Sequence, residues 1–386
     1  MLTPYVSFLE LVKASVLGCL DCAKGTRTFY ILLTINLYSK MKHKIYLLIV
    51  AVMQHVAFCY AGVVSGTCGN NLTWTLNTKD STLVIEGTGD MYYSGEVPPW
   101  YDYTSYIYYV SLPEGLTSIG KHAFSGTKIR SITIPKYITN IGGDAFLGCL
   151  QLGSVVINSN DIMSNTSGIR KISGYFGNNV KHYIIGESVK EIGEYAFIDS
   201  AIESVILSEG LTRIGQRAFS GCAKLKSINL PNSTISIGEY AFWNCKGLTS
   251  IIIPDNVTDI GELAFLTCTN IKTASIGRKV TNITNVFRFC SGITKFIVHA
   301  PIPPEGGVTN YLSQNQCTLY VHRENLSVYA NSVWWEDFFA IKAIEDDTSV
   351  EITETDSSFK GKKICDGQIF IDCGDKTYTI TGQEVR

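Results

Sequence analysis

The phrase Ile-Gly-x-x-Ala-Phe recurs along this chain in a nearly fixed rhythm, often followed by x-x-Cys and then by x-x-Leu or x-x-Ile. Six copies are clear, at Ile119–Phe124, Ile141–Phe146, Ile192–Phe197, Ile214–Phe219, Ile237–Phe242 and Ile260–Phe265. Four successive intervals (119 to 141, 192 to 214, 214 to 237, 237 to 260) span 22 or 23 residues. A period of roughly 20 to 29 residues gives each unit one short strand and one return segment, so that units stack as the coils of a solenoid. Such an array builds a long, rigid surface and seldom a catalytic pocket.

The unit at Leu225–Leu248 shows why its residues are spaced as they are. Ile228 and Leu230 alternate with Ser227 and Asn229, which predicts a short half-buried strand ended by Pro231. Ile237, Ala241, Cys245 and Leu248 then fall at steps of 0, +4, +8 and +11, which predicts a turn or two of helix with Phe242 beside its apolar stripe. Gly238 permits the sharp entry, Ala241 lets coils approach, and Phe242 fills the space between them. The expected core is the set Ile119, Phe124, Ile141, Phe146, Cys149, Ile192, Phe197, Ile214, Phe219, Cys222, Ile237, Phe242, Cys245, Ile260, Phe265 and Cys268. The gap from Ile141 to Ile192 holds an irregular insert, Asn158–Gly168, and a worn coil visible at Ile172–Phe176. A further coil at Ile283–Cys290 keeps Phe287 and Cys290 but has lost the Gly.

The consensus L-x-x-I-x-I-P-x-x-V-x-x-I-G-x-x-A-F-x-x-C resembles the leucine-rich repeat of the BspA type, found in surface proteins of anaerobic bacteria and some mucosal protists. Residues 109–300 carry it. The resemblance implies an α/β solenoid: a right-handed leucine-rich repeat array of about eight coils with parallel strands. Residues 62–108, with Leu72-Thr-Trp74-Thr-Leu76, Leu83-Val-Ile85 and Pro98-Pro99-Trp100, resemble the β-rich amino-terminal cap of such proteins. Residues 301–345 are similar to their mixed carboxy-terminal cap, in which Trp334, Trp335, Phe338, Phe339 and Ile341 would form a lid. Covers of this kind are needed because a solenoid exposes apolar core at both ends. The family implies a secreted or surface-exposed binding protein, often linked to adhesion, without fixing one ligand.

Residues 41–61 read as a signal peptide, with a basic start at Lys42-His43-Lys44, an apolar run at Ile45–Met53 and a small-x-small site at Cys59-Tyr60-Ala61. On that reading residues 1–40 are an upstream extension from a mis-called start. The rival reading is a membrane span, but Ile45–Ala57 falls short of the roughly 20 residues a bilayer needs. At the other end, residues 346–361 read as an acidic linker. Residues 362–386 read as short strands around the Asp366-Gly367 and Gly374-Asp375 turns, an ending similar to the tails of secreted proteins in Bacteroides and its relatives.

Only 17% of residues are charged, below the roughly 25% of average domains, and the net charge is −2. There is no basic surplus to attract nucleic acid. The exterior is therefore built from Ser, Thr, Asn, Gly and Tyr, which suits an extracellular or cell-surface location. Of the 12 cysteines, Cys149, Cys222, Cys245 and Cys268 stand eight residues after the repeat Ile, and Cys290 seven after. That phase predicts a buried column of free thiols rather than disulfides. The 6 histidines are scattered without an H-x-x-x-H pair, so the sequence points to no metal and no cofactor. No phosphate loop, dinucleotide fingerprint or nucleophile elbow is present.

Outward positions of the strands are the better place to look for function. One column reads Ser131, Ser154, Ser204, Ser227, Ser250, Thr273 and Lys295; the next reads Thr133, Val156, Ile206, Asn229, Ile252, Ser275 and Ile297. The simplest account is that hydroxyl and β-branched side chains suit exposed parallel strands. The functional account is a contact surface for a protein or glycan of low charge, with Thr133, Ile206, Ser227, Asn229, Ser250, Ile252, Ser275 and Ile297 as its ligand-facing residues. The expected function is extracellular binding without catalysis. A structural scaffold of the cell envelope is the alternative, and an extracellular hydrolase a more distant one.

Overall fold

The computed structural model describes residues 62–346 apart from 96, 169 and 307–315, together with four strands of the tail. The sequence readings of residues 1–40 and 41–61, and of the linker beyond Asp346, lie outside the described residues.

Three antiparallel strands come first: β1 (Val63–Gly69), β2 (Asn71–Asn77) and β3 (Thr82–Asp90). Leu72, Trp74 and Leu76 alternate inward and meet Leu83 and Ile85 on the same core, as a period of two requires. Strand β3 then pairs in parallel with β4 (Tyr109–Ser111) and with β5 (Leu116–Ile119), so the last strand of this meander is the first rung of the array.

Two parallel ladders run on from there. The first holds β6 (Ser131–Ile134), β8 (Ser154–Ile157), β9 (His182–Ile185) and β11 (Ser204–Leu207), and resumes with β14 (Ser250–Ile252), β16 (Thr273–Ile276), β17 (Lys295–Val298), β18 (Thr318–Val321) and β19 (Ala340–Ala343). The second carries the repeat Ile, in β5, β7 (Asn140–Ile141), β10 (Glu191–Ile192), β12 (Arg213–Ile214), β13 (Ser236–Ile237) and β15 (Asp259–Ile260). Register is strict: Ser131 faces Ser154, His182 and Ser204 in turn, and Ile192 faces Ile214, Ile237 and Ile260. The array makes about 11 turns rather than about eight. The additional rungs, such as β18 and β19, lack the Ile-Gly-x-x-Ala-Phe phrase but continue the hydrogen-bond ladder.

Two expectations about the unit need correction. Residues 225–230 make no ladder strand, although Ile228 is buried between exposed Ser227 and Asn229. Lys-Ser-Ile-Asn-Leu-Pro is poor in β-branched residues, its Ser and Asn can bond to nearby backbone, and Pro231 offers no donor.

The Ile-to-Cys segment, moreover, is not helical. It is a run of tight turns in which alternate N–H groups bond within the coil and to the next coil. Ala241 and Trp243 donate to Gly238 and Tyr240 of their own coil, at 3.2 and 3.0 Å, whereas Phe242 and Asn244 donate to Ala264 and Leu266, at 2.7 and 2.8 Å. The pattern goes with positive φ at every fourth position, seen at Tyr240 (54°) and Asn244 (60°), and at Arg217 (52°) and Gly221 (75°) in the coil before. Steps of +4 and +8 fit a two-residue alternation as well as a helix, which is why periodicity misread it. True α-helical turns occur instead in the worn stretch, at α1 (Asn160–Ser164) and α2 (Ile172–Phe176), and later at α3 (Leu326–Ala330).

The worn coil keeps its place by substitution. Gly193 N–H donates to Met163 in α1, where other coils offer the repeat Ile, and Ile172 N–H donates to Ala196, where others use Phe. Phe176 supplies the ring, 5.0 Å from Phe146.

All the expected core residues are buried except Ile260, which is partly buried. Phe197, Phe219, Phe242, Phe265 and Phe287 form a continuous stack with centroids 5.1, 5.2, 5.0 and 5.2 Å apart and planes within 9° of parallel. Each such pair contributes on the order of 1 kcal/mol beyond the area it buries. Beside the stack, the thiols of Cys149, Cys222, Cys245, Cys268 and Cys290 each donate to the carbonyl of a Phe one coil back, at 2.9–3.0 Å.

Trp100 covers the earlier rings Phe124, Phe146 and Phe176, 6.2 Å from the first of them. Beyond Phe287 the ring of Phe296, 5.5 Å away, leads to Trp335 and Phe338 at 6.3 and 6.0 Å. The lid is narrower than the aromatic cluster suggested: Trp335 and Phe338 are buried, whereas Trp334 and Phe339 are exposed. The tail strands β20 (Lys362–Cys365), β21 (Gln368–Cys373), β22 (Lys376–Thr379) and β23 (Glu384–Val385) pair antiparallel in sequence order.

Candidate functional site

Parallel register turns single residues into columns, so the first ladder presents its outward side chains as stripes, interrupted only where residues 225–230 leave the ladder. The structure adds His182 and Ile184 to them, from the worn coil whose strand the phrase did not mark. Ile206 and Ile252 are exposed (36% and 41%), and Ser227, Asn229 and Ser250 are exposed between them over three successive coils. Thr133 is half-buried. Ser275 (2%) and Ile297 (0%) are buried and cannot face a ligand. Their columns run into larger side chains: Ile297 is followed by Tyr320, whose ring lies 5.0 Å from the Lys295 ammonium. The stripe open to a partner is therefore the middle of the array and not its far end.

Electrostatically this stripe is quiet. His182 Nδ1 lies 2.8 Å from the Ser204 hydroxyl, and burial lowers its pKa, which keeps the ring neutral near pH 7. Lys181 and Glu203 flank it as a 2.9 Å ion pair, and that hydrogen bond holds the Glu203 carboxyl below its usual range. A pair this exposed contributes at most about 1 kcal/mol and leaves little net field.

The turn side carries a different group. The Arg217 guanidinium lies 5.0 Å from the Tyr240 ring, 5.8 Å from Tyr195 and 5.9 Å from Trp243. Its buried Nε has no hydrogen-bond partner, so the aromatic faces of neighbouring coils stand in for one.

Among the described residues one group could hold a metal: His322, Glu324 and Glu345, whose ligand atoms all lie within 4.8 Å of one another. Sequence reading missed it because these residues are remote from the clear phrases. The signal was nonetheless present, since His299, His322 and Glu345 follow one another at 23-residue steps and residues one coil apart stack. The thiol column offers no chemistry: burial pushes Cys245 up to about 12 and raises Cys222 and Cys268 well above the ordinary thiol value. No helix among the described residues is long and apolar enough to cross a membrane.

Residues 100–169 and 190–303 match the BspA type Leucine rich repeat region, in 6 copies. No curated protein matches the chain. Among solved structures it is similar to a leucine rich cell surface protein from Faecalibacterium prausnitzii A2-165, at 26% identity over 55% of this chain, with a TM-score of 0.33. That match spans 59% of the Faecalibacterium chain. It is also similar to a leucine-rich repeat protein from Eubacterium ventriosum ATCC 27560, at 17% identity over 72% of this chain and 93% of the other, TM-score 0.31. The pneumococcal vaccine antigen PcpA matches at 16% identity over 72% and 98%, TM-score 0.36.

Proposed function

Because residues 100–169 and 190–303 of this chain are a BspA-type leucine-rich repeat region, we propose that it serves as a non-catalytic binding module at the bacterial cell surface. Its ladder face would hold an extracellular protein or glycan of low charge. The observation that carries this reading is the exposed run Ile206, Ser227, Asn229, Ser250 and Ile252, spread over three successive coils.

Two apolar footholds with hydroxyl and amide groups between them suit a flat partner, which would bury the isoleucines and bond to the hydroxyls. Steering by charge would be weak here, so binding should change little with ionic strength, in contrast to a strongly charged interface. The stripe is backed by buried Val205, Ile228 and Ile251 of its three coils, and a surface already ordered lowers the cost of association.

Probing glycan and extracellular-protein arrays with the full chain tests the proposal. Ile206→Glu, Asn229→Glu and Ile252→Glu together should abolish the signal, and each alone should weaken it. Undiminished binding by the triple variant would move the site to the turn side around Arg217 or to the caps.

A further inference from the structure

We propose that His322, Glu324 and Glu345 bind one divalent transition-metal ion of the zinc class, with His299 as the residue that orients the histidine ligand. His322 follows β18, Glu324 sits in the single 3-10 turn Arg323–Asn325 after it, and Glu345 sits in the turn Ile344–Asp346 after β19. Adjacent rungs thus deliver three donors to one end of the sheet.

The spacing suits the ion. His322 Nδ1 and Glu345 Oε1 lie 3.3 Å apart, which is about the edge of a tetrahedron with bonds of 2.0–2.1 Å. Glu324 lies within the same 4.8 Å group, close enough to complete three protein ligands and leave a fourth position for water. One imidazole with two carboxylates favours zinc and its neighbours over magnesium or calcium, which prefer oxygen alone.

What separates this group from an ordinary cluster of surface carboxylates is the support behind it. His322 Nε2 lies 3.2 Å from His299 Nδ1. With Nδ1 on a metal, His322 keeps its proton on Nε2 and donates it to His299, whose own proton then sits on its other nitrogen. That arrangement fixes both the tautomer and the ring plane. The Arg323 N–H donates to the second Glu345 oxygen at 3.3 Å and orients the carboxylate. His299 itself is partly buried behind the histidine ligand.

Cobalt(II) titration of the full chain, followed by visible d–d absorption and by isothermal calorimetry with zinc, tests the site. The wild-type chain should take up one equivalent with a tetrahedral-type spectrum and without the ultraviolet thiolate-to-cobalt band that a cysteine site would give. His322→Ala and Glu345→Gln should each lower the affinity at least about tenfold, while circular dichroism reports an intact fold. His299→Asn should leave the stoichiometry at one and weaken affinity about 10- to 100-fold. No uptake by the wild-type chain, a thiolate band, or uptake unchanged in His322→Ala would overturn the proposal.

Discussion

The Trp100 indole N–H donates to the Ala123 carbonyl at 2.7 Å. In later coils that bond comes from a backbone amide: Phe124 N–H reaches Ala145, Phe219 reaches Ala241 and Phe242 reaches Ala264. Ala123 has no preceding coil, so a side chain takes over the missing donor while its ring extends the stack of phenylalanines. One residue thus covers the apolar end and satisfies its free carbonyl, the two needs of a terminated solenoid.

Replacing Trp100 by Phe should keep the ring and lose the donor, at about 1–3 kcal/mol for a buried carbonyl left unpaired. Trp100→Ala should cost about 3–5 kcal/mol. Urea unfolding measures both, and hydrogen exchange should show the first coil opening before the middle ones. Equal stability of Trp100→Phe and wild type would remove the capping role.

Phe242 sits between Phe219 and Phe265 at 5.2 and 5.0 Å and is fully buried. Phe242→Ala should destabilise by about 3–5 kcal/mol, and Phe242→Leu by less, since much of the volume is retained. Comparison of their urea midpoints checks the order.

Gly261 is excluded from bearing a side chain by the coil before it. A Cβ there would meet Glu239 N at 2.3 Å and the Gly238 carbonyl carbon at 2.6 Å, both backbone atoms that cannot swing away. Gly261→Ala should therefore cost at least about 1–3 kcal/mol and leave expression low. A variant as stable as wild type would mean that the coils are further apart than described.

The buried thiols should be silent in the native state. Burial pushes Cys245 and Cys317 up to about 12 and Cys68 to about 11, so at neutral pH almost none is thiolate, the reactive form. Alkylation by iodoacetamide, read residue by residue by mass spectrometry, should modify these positions only after denaturation. Rapid native labelling of Cys245 would contradict the column.

His182 links stability to pH. Burial lowers its folded pKa, with Glu203 raising it and Lys181 lowering it in smaller measure, whereas the unfolded ring titrates near about 6.5. The unfolded chain therefore takes up the proton first, so the contribution is whole above the unfolded value and is lost as pH falls toward and through the folded one. Urea midpoints should drop more steeply between about pH 7 and pH 5 for wild type than for His182→Asn. Parallel slopes would remove this linkage.

How much of this was legible in the sequence depends on what each residue reports. Phe242 and Cys245 report burial, which the repeat phase reveals directly, and both fall where the phase put them. Tyr240 and Asn244 report backbone conformation, and their positive φ is set by hydrogen bonds to Glu262 and Leu266 of another coil. No local pattern contains those bonds, so the segment read as helix. The outward stripe was legible at Ile206 and Ile252 because alternation alone places them. Its limit was not, since Ser275 and Ile297 are buried although alternation puts them in the same outward column. His299, His322 and Glu345 were hidden because they are joined by the 23-residue period and by no local motif.

Successive coils lie side by side, one strand spacing apart. Nitroxides introduced through unnatural amino acids at Ser131 and Thr273 can measure this by electron–electron double resonance. The two residues stand six coils apart, through 154, 182, 204, 227 and 250, with ladder pairing at every step except the two on either side of Ser227. At about 4.8 Å per step the backbones should lie roughly 29 Å apart. A distance distribution centred there is the predicted result; a much shorter distance, or a broad one that narrows on no condition, would contradict the stacked array.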